Sequence, residues 1–144
     1  MISNMDFDEF KIYHSEIILF CQCIEHDLKW IYSYMLKGNP DKTFNSLSKT
    51  TLGTLVCKLR NLDSSDDKRF ISNSDYDFLM SITEKRNYWC HQNYVEIMYI
   101  DNFVYSQQYR DMCNRLKEDH DRLDTVSKNV ENVRFEAIRI YRRQ

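Results

Sequence analysis

The sequence predicts an all-α protein, a bundle of four to five helices running up and down. Only two glycines and one proline occur in 144 residues, apolar side chains recur at helical spacings, and the final third carries a long heptad-like run. A chain rich in tight turns would need many more glycines and prolines. This length supports one hydrophobic core, so residues 1–144 are read as a single domain.

In the first helix Phe10, Tyr13, Ile17, Phe20, Ile24, Leu28, Ile31 and Met35 alternate at spacings of three and four. Asp6 can cap it, and Lys37-Gly38-Asn39-Pro40 marks its end. A polar connection leads to a shorter helix near Thr51 to Leu59, with Leu52, Leu55, Val56 and Leu59 on its apolar side. Asp63 to Asn73, rich in Asp and Ser, is expected to be an exposed loop, the Asp66-Asp67-Lys68-Arg69 charges being solvated. Ser74, with Asp75 and Asp77, is expected to open a third long helix reaching about Ile100. Val95 to Tyr105 also carry the β-branched and aromatic content of a strand. The last helix runs from about Ser106 to Tyr141, with Leu116, Leu123, Val126, Val130, Val133, Ala137 and Ile140 near heptad positions and Asp119 interrupting them. It serves either as the longest pillar of an intramolecular bundle or as an intermolecular coiled coil.

Composition narrows the function classes. A net charge of −2 gives no uniform basic field for tight binding to long nucleic acid, although local basic patches remain. The five cysteines are odd in number and sit mostly in apolar periodic stretches, which suits buried free thiols in a reducing, cytoplasmic setting. A zinc site from Cys21, Cys23, Cys90 and His91 lacks a second paired element, so no metal is expected. No cofactor is expected either. No apolar run approaches the roughly 20 residues of a membrane span, and Met1 to Asp6 lack the features of a targeting peptide.

The chemistry-bearing feature is Arg86-Asn87-Tyr88-Trp89-Cys90-His91, expected near the middle of the third long helix. Asn87 and His91 stand one above the other at i and i+4, and Glu84 and Tyr94 extend the same polar stripe. Arg86 lies well round the helix, on the side of Leu79, Ile82, Trp89 and Cys90, where a guanidinium is costly unless an anion meets it. An imidazole can act as base or acid near neutral pH, and a guanidinium matches phosphate oxygens. Together with an orienting amide, they suit cleavage of an RNA phosphodiester by its own 2′-hydroxyl. One His and one Arg are thin for that reaction, and a two-fold dimer burying this helix would double both. Tyr88, Trp89, Tyr94 and Tyr99 cluster here, either to stack on bases or to pack a core and a dimer interface, with Trp89 at the interface.

Arg86-Asn87 followed by His91, in a small helical chain, resembles the HEPN superfamily, whose signature is an Arg, usually a polar residue next, and a His four to six residues beyond the Arg. Thr51-Leu52-Gly53-Thr54-Leu55 is similar to small bacterial members, and the resemblance spans about Phe7 to Tyr141. It implies a homodimer with both motifs at its interface and a metal-independent endoribonuclease, of a toxin or defence system, leaving a 2′,3′-cyclic phosphate. Carried over by position, Arg86 and His91 are catalytic and Asn87 is the polar accessory. Tyr94, Glu84 and Tyr88 are the expected substrate contacts. Expected partners are a second copy, an RNA substrate, and an antitoxin or regulatory protein. The chain departs from members whose Tyr stands two residues after the His, because Tyr94 is three residues on. Control by nucleotide transfer to that Tyr is therefore not implied.

Two other functions stay open. One is a catalytically inactive HEPN-like dimer that binds nucleotide, RNA or a partner protein. The other is a helical adaptor that docks another helix on its C-terminal heptads. Arg134, Arg139, Arg142 and Arg143 form a basic end that suits either RNA backbone or the helix dipole. His14, His26 and His120 are expected on the surface or on helix faces.

Overall fold

The computed structural model describes residues 5–65 and 69–142. They form a helical bundle, and no strand occurs among the described residues. Four long helices build it: α1 (Phe7–Met35), α3 (Leu52–Ser64), α4 (Asn73–His91) and α6 (Gln107–Tyr141). Two short ones, α2 (Pro40–Ser46) and α5 (Asn93–Met98), join them, and a single 3-10 turn at Phe103–Tyr105 precedes α6.

Capping explains most starts. Asp6 accepts the Glu9 amide at 2.8 Å, Thr51 accepts Thr54 at 3.2 Å, and Ser106 accepts Tyr109 at 3.1 Å. Asn39 caps α2 with Pro40 at its first position, so the expected polar connection contains a turn of helix. Gly38, at φ +122°, makes the reversal after α1, where a side chain would be strained.

The longest seam joins α1 to α6. Phe10, Ile17, Ile24, Leu28 and Ile31 face Leu116, Leu123, Val126 and Ala137 in one core, all without exposed surface. Complete burial of such side chains contributes about 1.5–3 kcal/mol each. The α6 heptads are therefore spent inside the chain as far as Ala137, while Ile140 is exposed.

Several expectations need correction. The α4 cap is Ser72, which accepts the Asp75 amide at 3.1 Å, and not Ser74. The helix stops at His91 instead of reaching Ile100, so the motif ends it. Residues 93–105 form α5 and the 3-10 turn and no strand. Trp89 has no exposed surface and belongs to the core of its own chain, not to an interface between chains. Its indole finds an acceptor within the bundle, which removes the cost of burying it. His120 is also buried, enclosed by the rings of Tyr13 and Phe20, with Asp121 at 3.0 Å and Glu16 at 3.3 Å on its two nitrogens.

The stretch after α3 is anchored and not merely exposed. Asp63 is fully buried and accepts the amides of Phe70 at 2.9 Å and Ile71 at 3.1 Å and the Tyr76 hydroxyl at 2.6 Å. Burial and the Asp63 bond push the Tyr76 phenol above its ordinary range. Asp66, Asp67 and Lys68 lie outside the described residues.

Replacing Asp63 by Ala strands two amides and a phenol in the core. Urea denaturation of Asp63→Ala should show a loss of about 3 kcal/mol, against about 1 kcal/mol for Tyr76→Phe. Equal small losses in the two variants would show that Asp63 does not anchor the segment.

Candidate functional site

The motif helix is oriented by what it buries. Tyr76, Leu79, Ile82 and Trp89 form its inward stripe, and Arg86 occupies the place in that stripe between Ile82 and Trp89. Trp89 Nε1 donates to Asp119 Oδ2 of α6 at 2.8 Å, and Lys85 Nζ reaches Asp119 Oδ1 at 3.0 Å. At about 100° per residue, a Trp89 fixed inward turns Glu84, Asn87 and His91 outward. All three are exposed.

Arg86 meets the anion its position requires. Its guanidinium lies 3.2 Å from Glu25 Oε2 on α1, and Lys29 approaches the same carboxylate at 3.8 Å. The pair is about one third exposed on the Arg side and one quarter on the Glu side, enough burial to reward pairing and enough water to weaken it. Arg86 therefore looks into the groove toward α1, about 140° round α4 from His91. Within one chain the two are not brought to a common point. The His91 side chain makes no hydrogen bond or ion pair among the described residues.

The end of α4 is set from outside the helix. Gln92 leaves helical geometry, although its amide still donates to the Tyr88 carbonyl at 3.0 Å. The Trp89 carbonyl, which a continuing helix would give to Asn93, takes a bond from His14 Nε2 at 2.5 Å. The expected surface residue His14 thus closes the helix on which His91 is last. No glycine or proline marks this break.

Tyr94 follows the break, so it does not continue the His91 stripe. Its ring packs on His14 at 4.9 Å and on Phe10 at 6.0 Å, and burial raises its phenol. Tyr88 is half-buried on the α6 side. Its hydroxyl donates to Glu96 Oε2 at 2.8 Å, and the Arg115 guanidinium lies 3.7 Å from the centre of its ring. Burial, then the Glu96 bond, pushes the phenol up to about 12. Arg115 is a cation beside the motif that sequence spacing did not reveal, because it comes from a different helix.

The thiols divide. Cys21 and Cys113 are buried, but Cys23, Cys57 and Cys90 are exposed, so the expectation of buried free thiols holds for only two of the five. Burial pushes Cys21 up to about 12, with the nearby Arg86 guanidinium opposing, so Cys21 is no nucleophile at neutral pH. Among the described residues no group of three or more His, Cys, Asp or Glu side chains is arranged to hold a metal ion. No described helix is long and apolar enough to cross a membrane. Much of the basic C-terminal end is paired: Arg134 Nε lies 3.3 Å from Asp27, and Arg139 binds Glu136. Arg142 is exposed, and Arg143 lies outside the described residues.

No family model matches the chain, and no curated protein or solved structure matches it.

Iodoacetamide at pH 8, read by mass spectrometry on the native protein, should modify Cys23, Cys57 and Cys90 and spare Cys21 and Cys113. Labelling of Cys21 at the rate of Cys90 would contradict the packing of α1 on α4.

Proposed function

We propose that the chain is a metal-independent endoribonuclease of the HEPN type, active as a homodimer. The observation that carries this reading is the outward stripe of Glu84, Asn87 and His91 at the end of a helix anchored from behind, with Arg86 on the same helix turned toward α1. His91 takes the proton of an RNA 2′-hydroxyl, or gives one to the departing 5′-oxygen. The 2′-oxygen bonds to phosphorus as the bond to the 5′-oxygen breaks, leaving a 2′,3′-cyclic phosphate and a 5′-hydroxyl. Arg86 stabilises the crowded anionic phosphorus, and Asn87 orients the imidazole or the phosphate. A second copy supplies the other His and Arg, since one chain holds Arg86 about 140° from His91. The apolar surface of Val95, Met98 and Tyr99 on and just beyond α5, next after His91, is a face on which that copy can pack.

The Arg86–Glu25 ion pair favours a second reading, in which the same dimer binds nucleotide, RNA or a partner protein without turnover. The two readings separate in EDTA with total and structured RNAs. In the enzyme, wild type produces cyclic phosphate ends and His91→Ala lowers cleavage by at least about 100-fold, while sedimentation still reports a dimer. In the binding protein neither cleaves, and Arg86→Ala loses the ligand. Cleavage retained in His91→Ala would overturn the enzyme reading.

Glu25 competes with phosphate for Arg86 in either case. Glu25→Gln should bind RNA several-fold more tightly in a filter or anisotropy assay, an effect that shrinks as salt rises. Unchanged affinity would mean that Arg86 does not meet the RNA.

A further inference from the structure

Beside the motif helix a cavity of about 290 Å³ opens between Tyr88, Glu96, Gln108, Asp111, Met112 and Arg115. It falls just below the about 300–1,000 Å³ of small-molecule sites, a volume for a single base more than for a whole dinucleotide. The Arg115 guanidinium lies 3.7 Å from the centre of the Tyr88 ring, close enough for cation–π attraction, and it carries a fork of N–H donors. Arg60, Arg86, Arg122, Arg134 and Arg139 all pair with carboxylates, whereas Arg115 makes no ion pair among the described residues. Glu96 holds the Tyr88 hydroxyl through Oε2 at 2.8 Å and keeps its other oxygen free to accept. The polar lining thus comprises a donor, Arg115, the acceptors Glu96 and Asp111, and Gln108, which can do both.

Guanine matches that lining. Its N1–H and N2–H are neighbouring donors suited to a carboxylate, and its O6 and N7 are neighbouring acceptors suited to a guanidinium fork. Adenine, cytosine and uracil present no such pair of edges. Bases of single-stranded RNA are free to be read this way, with an aromatic ring or a guanidinium plane to stack on. We propose that this cavity is a guanine subsite, with Glu96 accepting from N1–H and N2–H and Arg115 donating to O6 and N7. Tyr88 and His91 are three residues apart on adjoining faces of α4, about 60° round and about 4.5 Å along the axis. A base held at Tyr88 therefore lies within one helical turn of His91. This inference rests on the RNA reading of that face for its substrate.

The test titrates GMP, AMP, CMP and UMP into the full chain carrying His91→Ala, followed by calorimetry, and maps cleavage by wild type in parallel. GMP should bind at least about tenfold tighter than the other three. Glu96→Gln, which keeps an acceptor for Tyr88, should abolish that preference, and Arg115→Lys should weaken GMP by a similar factor. Equal affinity for the four nucleotides overturns the subsite, and so does a GMP preference that survives Glu96→Gln. The wild-type comparison needs no variant to fold. Cleavage without a neighbouring guanosine, and without GMP preference, removes the subsite and leaves the nuclease. A Glu96-dependent GMP preference with no cleavage keeps the subsite and removes the nuclease.

Discussion

The orientation of the motif helix depends on one buried carboxylate. Asp119 is 7 % exposed, and it takes the Trp89 indole N–H on one oxygen and the Lys85 ammonium on the other. A Trp turned inward without an acceptor would strand a buried donor at a cost of about 1–3 kcal/mol. An unpaired Asp119 beside the core would cost more still. Each partner thus requires the other, and together they set the rotation of α4 about its axis. Everything else about the helix follows from that rotation: Arg86 faces α1 and Glu25, Tyr88 faces Arg115, and Asn87 and His91 face out.

A second constraint fixes where the helix ends. His14 captures the Trp89 carbonyl, the residue whose indole Asp119 holds, so α1 and α6 both act on Trp89. The imidazole of His91 consequently leaves the bundle at a terminus held from two sides. The proposed nuclease would require such support, because small misplacements at a catalytic centre cost large factors in rate. Arg86 differs in being already engaged by Glu25, and its use in either proposed function requires an exchange of one anion for another.

Helical character was legible in the sequence because it is local. The three-and-four spacing of Phe10 to Ile31, the cap at Asp6, and the helix starts near Thr51 and Ser106 involve neighbours along the chain. The outward stripe of Glu84, Asn87 and His91 was legible for the same reason. What stayed hidden involves partners far apart in sequence. Asp119 reads as a flaw in a heptad until Trp89, 30 residues away, is placed against it. Asp63 reads as loop composition until it is found holding Phe70, Ile71 and Tyr76. The stop at His91 has no glycine or proline to announce it, and its cause lies 75 residues away from Trp89, in His14. Arg115 comes to Tyr88 from α6, so no spacing within the motif could include it.

The dependence on Asp119 is most directly measured by hydrogen exchange at the two indoles, since the chain has only Trp30 and Trp89. In wild type, nitrogen-15 spectra should show the Trp89 indole proton exchanging far more slowly than that of half-buried Trp30. In Asp119→Ala that protection should vanish while the far-ultraviolet helical signal persists. Two indoles exchanging at one fast rate in wild type, or protection of Trp89 unchanged by Asp119→Ala, would contradict the claim that this carboxylate sets the rotation of the motif helix.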